Sequence, residues 1–360
     1  MVVGAGLLLG VAGFSYARAL LAPNSPGWDL RSAEWLRENH LGWALDLAEW
    51  AWFSVHEPTA QEPDTRLSVF PAPFPRQGDG SSEAAVEPPP IRSPFPHPLP
   101  DEGVWHGIGS TINGVPALRR AFFRPDPDQP QLRVAVARFT PELTRFVLVP
   151  GVRDPGGDWS WRGTVPEGER SSLLAAFNAG FRLFEAHGGI YAEGREARPL
   201  VADAASLVID RQGVADIVGW RAEREPSPDI VAVRQNLRLI VVDGQAVPGL
   251  DHHPFGAWSK RSHDGPMWRS GLGVTPAGAI FYLAGRGLTL ELLARALAEA
   301  GAVRAMELDI HQQWPSFNVF QPASARDPKL IATKLLPDMR QPAERYLTPD
   351  DRDFVAVFVR

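Results

Sequence analysis

The chain reads as an α+β protein: a mixed, strand-rich sheet with packed helices, preceded by an N-terminal membrane helix and a proline-rich stalk. Three observations predict this class. Short runs rich in Val, Ile, Leu and Phe, separated by turn residues, outnumber helical stretches beyond residue 104. One amphipathic helix, from Thr289 to Gly301, carries both a start and a stop signal. The chain opens on an uncharged apolar run, and residues 58–103 are dominated by proline, glycine and small polar residues. With 360 residues, of which 44% are hydrophobic, it can bury a large core.

Residues 1–22 are expected to be a membrane anchor. Val2 to Tyr16 carry no charge, and Ala19 to Leu21 continue the apolar run past Arg18. The run is short against the ~20 residues of a full span and has no basic segment before it, which favours an uncleaved anchor over a cleaved signal. Residues 23–57 hold Trp28, Trp35, Trp43, Trp50 and Trp52 among charged residues. That pattern predicts an amphipathic helical segment, lying at a membrane interface or against its own domain. Residues 58–103 include Pro88-Pro89-Pro90 and read as an extended linker. This order implies contact with a lipid bilayer and puts the main domain, 104–360, outside the cytoplasm.

Within that domain, strands are expected over 132–139 and 145–150, a short helix around Ser171 to Phe177, and strands around 206–209 and 236–245. Arg269 to Ala284 reads as two strands joined by a turn at Pro276 to Gly278. In the following helix Thr289 is the N-cap, Leu290, Leu293, Leu297 and Ala300 form one apolar stripe, and Gly301 ends it. A strand over 304–311 and a last strand at 354–359 complete the order.

The strand Arg304 to His311 is the richest in chemistry. Strict alternation puts Met306, Leu308 and Ile310 toward a core and projects Glu307, Asp309 and His311 together. Same-face neighbours on a strand lie roughly 6.5 to 7 Å apart, so two carboxyl groups and an imidazole would converge. Such a set can move protons, hold a cation or bind a polar ligand; a half-solvated strand is the plain alternative.

The formal charge of -6, without a concentrated basic surface, argues against a nucleic-acid partner. The chain has no cysteine, which excludes disulfides, zinc-thiolate sites and cysteine nucleophiles. No cofactor is firmly implied. A divalent cation stays open, because Asp251-His252-His253 and His263-Asp264 have ligand chemistry, although a surface loop is the plainer reading.

Several pieces occur in an order that resembles the phosphodiester glycosidase domain family, the N-acetylglucosamine-1-phosphodiester alpha-N-acetylglucosaminidase-like group. Phe177-Asn178-Ala179-Gly180-Phe181 is similar to the family's Asn-Ala-Gly-Phe-Phe motif and is followed by Gly188-Gly189. Residues 206–214 and 236–245 resemble its intermediate strands, and Arg269 to Asp309 its C-terminal half. The resemblance covers roughly 104–323 and points to a divergent bacterial member. It implies a hydrolase acting on a carbohydrate or sugar-phosphate substrate, with Asn178, Arg269 and Asp309 at motif positions.

One departure stands out. The family continues its Leu-Asp with Gly-Gly-Gly-Ser, whereas Leu308-Asp309 is followed by Ile310-His311-Gln312-Gln313-Trp314. Glycines let backbone amides approach a phosphate closely, and bulky side chains do not. In their place His311 and Gln312 offer hydrogen bonds, while Trp314 either stacks on a sugar ring or fills the core. The expected catalytic residues are therefore Glu307, Asp309 and Arg269, with Asn178, His311, Gln312, Trp314 and Glu185 contacting substrate. Arg269 would bind an anion, one carboxyl would protonate the leaving oxygen, and the other would orient water or steady positive charge. The competing reading is a non-catalytic carbohydrate-binding or envelope module on the same fold.

Overall fold

A computed structural model describes residues 2–21, scattered positions between 27 and 47, and residues 87–221, 227–250, 265–324 and 327–360. The chain divides into two compact units, Met1–Glu57 and Pro58–Arg360.

The first unit holds helix α1 (Val2–Leu20). A helix forms where the anchor is expected, but among the described residues no helix is long and apolar enough to cross a membrane. The membrane-helix expectation is thus unsupported: Ser15, Tyr16 and Arg18 interrupt the apolar run. Two of these side chains are engaged within the unit. Tyr16 Oη lies 2.7 Å from Ser32 Oγ, and Trp35 Nε1 donates to Ser15 Oγ at 3.0 Å. Trp35 therefore packs against its own chain, while Trp28 is exposed. Trp43, Trp50 and Trp52 lie outside the described residues.

The second unit is built from strands. In chain order they are β1 (His106–Ile112), β2 (Val115–Phe123), β3 (Val134–Phe139), β4 (Thr144–Val149), β5 (Leu173–Asn178) and β6 (Ile190–Ala192). Next come β7 (Arg195–Arg198), β8 (Ala205–Asp210), β9 (Ala215–Gly219), β10 (Ile230–Gln235), β11 (Leu239–Val242) and β12 (Gln245–Ala246). The set closes with β13 (Met267–Val274), β14 (Ile280–Leu288), helix α2 (Leu290–Glu299), β15 (Arg304–Ile310), β16 (Phe317–Ser324), β17 (Asp327–Lys334) and β18 (Phe354–Val359).

These strands make one eight-stranded sheet, β1-β2-β3-β14-β13-β15-β11-β12, and two five-stranded sheets, β7-β6-β10-β8-β9 and β17-β16-β5-β18-β4. Every described ladder is antiparallel, so the expected single mixed sheet is corrected to three antiparallel ones. Hairpins dominate because short turns join neighbouring strands; Asn113-Gly114, both at positive φ, closes β1 onto β2.

Two cores sandwich the large sheet. On one side Leu290, Leu293 and Leu297 of α2 pack with Phe281 and Leu283 of β14 and Phe123 of β2. Ile91 joins that cluster from the proline-rich stretch, so the described residues 87–103 pack against the domain. On the other side one continuous core is shared with both smaller sheets, and Phe139, Phe177, Tyr282 and Phe317 meet there. The Phe177 and Phe317 rings stack at 5.7 Å.

The α2 helix matches its expected limits, with Thr289 Oγ1 accepting from the Leu292 N–H at 3.1 Å. Residues 171–177 do not form the expected helix. After a 3-10 turn over Glu167–Ser172, the run becomes β5, paired with both β16 and β18. Leu173-Leu174-Ala175-Ala176-Phe177 has good helix formers, but an apolar run buried on both faces satisfies a central strand equally well, and its two neighbours decide.

Candidate active site

The site grows from the pairing of β13 with β15. Ser270 pairs with Asp309 and Gly271 pairs with Glu307, so one step on β13 spans two on β15 and Leu308 is the extra residue of a β-bulge. Directly paired residues share a side of the sheet, and consecutive residues alternate. Ser270 and Gly271 point to opposite sides, and therefore so do Asp309 and Glu307. The expected convergence of the two carboxylates fails for this reason.

Asn236 holds the bulge. Its amide donates to the carbonyls of Glu307 at 2.7 Å and Leu308 at 3.1 Å, and its Oδ1 accepts from the Phe181 N–H at 3.0 Å. Gly180 lies against this amide: at φ 151°, a Cβ there would stand 3.0 Å from Asn236 Oδ1. The Asn-Ala-Gly-Phe loop is thereby tied to the distorted strand.

On the α2 side, Arg269 Nη1 donates to Glu307 Oε1 at 2.7 Å and Nε donates to the Leu288 carbonyl at 2.8 Å. Both side chains are fully buried. The guanidinium of Arg269, expected to receive an anion, has these donors committed inside the fold.

On the other side a polar cluster surrounds Asp309. Arg352 Nη2 donates to Asp309 Oδ2 at 2.5 Å and to the Gly180 carbonyl at 2.7 Å. Asp309 Oδ1 accepts from the Ile310 N–H at 2.8 Å. Ser270 Oγ, 3.2 Å from the Asp309 carbonyl, accepts from Asn178 Nδ2 at 3.3 Å. Asn178 Oδ1 in turn accepts from Tyr282 Oη and from the Ser316 N–H, both at 3.0 Å. Asn178 is thus a buried brace between β5, β13 and the turn after β15.

Glu185 is also buried here, in the loop after the Asn178 motif. Burial works to lower the Arg352 pKa, but the negative charges of Asp309 and then Glu185 outweigh it and raise the value. Asp309 bonds the guanidinium directly, and Glu185 acts on it through its charge. Burial also pushes the Tyr282 hydroxyl well above its ordinary range, so it stays a neutral donor to Asn178.

The turn after β15 keeps a glycine-like shape without glycine. His311 has φ 66°, a left-handed conformation, and its N–H donates to the Trp268 carbonyl at 2.9 Å. Its side chain is buried; Gln312 alone of the expected set is exposed. Trp314 is buried with the Arg352 guanidinium 4.6 Å from its ring centroid, the core-filling alternative rather than an open stacking face.

The structure thus places Asp309 and Trp314 against Arg352, ties Asn178 to the same side of β15 through Ser270, and sets Arg269 and Glu307 apart. Sequence reasoning missed Arg352 and Asn236. For Arg352 a signal existed in Asp350-Asp351-Arg352-Asp353, an unusual charge run just before an apolar strand. Among the described residues, no group of three or more His, Asp or Glu side chains could hold a metal ion. The His252, His253 and His263 positions lie outside the described residues.

Part of the chain resembles a known family. Residues 171–309, from the approach to β5 through Asp309, match the family model described as phosphodiester glycosidase. Among solved structures, the chain is similar to the zebrafish N-acetylglucosamine-1-phosphodiester alpha-N-acetylglucosaminidase catalytic domain auto-inhibited by its pro-peptide. Identity there is 14%, over 70% of this chain and 86% of that one, with a TM-score of 0.43. A hypothetical protein from Synechocystis gives 13% identity over 70% of this chain and 64% of that one, with a TM-score of 0.39. A putative exported protein from Burkholderia pseudomallei gives 13% identity, 63% and 74% coverage, and a TM-score of 0.32. No curated protein matches the chain.

Proposed function

We propose that the domain is a hydrolase that cleaves a sugar phosphodiester or a related glycosidic linkage. The observation that carries this reading is that Arg352 joins the Asn-Ala-Gly-Phe loop to Asp309, both inside the family match, in one buried polar cluster, with Glu185 buried in the stretch that follows the loop. Asp309 and Glu185 are the two carboxyl groups of the reaction in this proposal. One protonates the leaving oxygen while the other orients water or steadies positive charge at the anomeric carbon. Asn178 acts by bracing the loop, Gln312 is the exposed residue of the turn beyond Asp309, and Glu307 with Arg269 forms the rigid support behind β15.

Turnover of a panel of sugar-1-phosphodiesters and aryl glycosides by the full chain tests the reading. Asp309→Asn is expected to lower kcat by about 10²- to 10⁴-fold, the usual contribution of a positioned acid or base. Wild-type turnover that survives both Asp309→Asn and Glu185→Gln would remove these residues from the chemistry. A second reading, a carbohydrate-binding module, is favoured by the closure of the cluster, since Asp309 is fully buried and both its oxygens have protein partners. Glycan binding by the full chain without turnover would select it.

The apolar α1 and the proline-rich residues that follow suit a domain held outside the cytoplasm at a lipid surface. Fractionation of cells making the full chain checks this, and recovery only among soluble cytosolic proteins would reject it.

A further inference from the structure

Asp309 closes the family match, yet the guanidinium that bonds it lies 43 residues further along the chain. Building on the hydrolase reading, we propose that Arg352 is a positioning residue of the site: it fixes the Asp309 carboxylate and locks the Asn-Ala-Gly-Phe loop to β15.

Four consecutive residues precede β18, and each reaches a different part of the fold. Asp350 pairs with Arg345, Oδ2 to Nε, at 2.5 Å, and Asp351 pairs with Arg153 at 3.6 Å. Arg352 pairs with Asp309, and Asp353 pairs with Arg234, both side chains of that last pair being buried. The segment is anchored on both flanks of Arg352, so the guanidinium is presented as a preset part.

Its contacts are divided among three elements of the site. One nitrogen bonds both Asp309 of β15 and the Gly180 carbonyl of the loop, while the planar group lies over Trp314 in the turn that replaces the glycines. A planar fork that stacks and bonds at once is particular to arginine; a lysine keeps the charge and loses the plane. Asp154 and Arg345 also act on this group, the first raising and the second lowering its hold on the proton. The loop carbonyl it binds belongs to Gly180, the residue next to the Phe181 contact with Asn236.

Fixing the segment needs only the flanking pairs, whereas fixing Asp309 needs Arg352. That distinction sets the experiment. Arg352→Lys, Arg352→Ala and Asp353→Asn are made in the full chain, and kcat, KM and thermal midpoint are measured below each variant's melting range. The expected result is a kcat loss of about 10²-fold in Arg352→Lys with KM changed less than about threefold, the cost of misplacing a reacting group. Guanidinium ion at millimolar concentration is expected to restore part of the kcat of Arg352→Ala, and sodium at the same ionic strength is not. Asp353→Asn is expected to lower the midpoint without a comparable kcat loss.

Arg352→Lys with wild-type kcat would overturn the role, as would a kcat loss in Asp353→Asn equal to that in the Arg352 variants. Should Arg352→Ala fail to fold, Arg352→Lys decides alone. Absence of wild-type turnover would instead overturn the hydrolase reading, and this role with it.

Discussion

A carboxylate buried opposite an arginine leaves an uncompensated charge when either partner is removed. Glu307 and Arg269 are such a pair, fully buried and bonded at 2.7 Å. Glu307→Gln is expected to destabilise the domain by about 3 to 5 kcal/mol, the range for breaking a buried pair. Below its melting range the variant should turn over substrate like the wild type, because Asp309 faces the other side of the sheet. A denaturant titration and a kcat measurement on one sample check both halves; equal loss of activity in Glu307→Gln and Asp309→Asn would return Glu307 to the site. The residue types were legible in the sequence, and their division was not. Alternation along a strand holds only while the ladder is regular, and the extra residue Leu308 is specified by Asn236, about 70 residues away, through its bonds to the Glu307 and Leu308 carbonyls. The conformation of His311 was equally hidden, because a non-glycine residue in the left-handed region is held there by its surroundings.

At the scale of elements, local signals served where structure is local. The cap of α2 and the turn between β1 and β2 follow from a few adjacent residues. The strap over 87–103 does not, because proline-rich sequence reads as a spacer until its few anchors meet a surface. Glu102 is one anchor: it accepts from the Arg124 side chain at 2.8 Å, from the Arg124 N–H at 3.0 Å and from the Leu99 N–H at 2.7 Å. Burial tends to raise its pKa, but the Arg124 side chain and these backbone donors prevail and lower it. A depressed folded-state value means stability that is present above the unfolded carboxyl pKa of about 4.3 and lost as pH falls through the folded value. Glu102→Gln is therefore expected to lower the thermal midpoint at pH 7, with the gap to wild type narrowing below about pH 4. A gap that stays constant between pH 7 and pH 3 would show that the anchor works by packing alone.

For the molecule as a whole, the family match ends at Asp309 but the cooperative unit does not. Strand β18 enters the third sheet between β4 and β5, carrying Arg352 to the site, and Ile91 enters the α2 core from the opposite end of the domain. Strand-rich class and element order were readable because hydrophobic patterning is a local property. The division into three sheets was not, since pairing such as β5 with β16 and β18 joins segments more than 130 residues apart. This long-range closure makes the domain sensitive to where it is cut. A fragment of residues 104–360 loses Ile91, whose burial contributes about 1.5 to 3 kcal/mol, and loses the Glu102 partner of buried Arg124. It also loses the Pro89 carbonyl that accepts from Trp105 Nε1 at 2.9 Å, leaving a large ring on the α2 core without its cover. The fragment 87–360 keeps all three contacts. Side-by-side melting is expected to put 104–360 at least about 5 °C below 87–360, since roughly 1 kcal/mol shifts a domain of this size by 2 to 4 °C. Equal midpoints would mean that the strap only rests on a domain that is complete from Val104 onward.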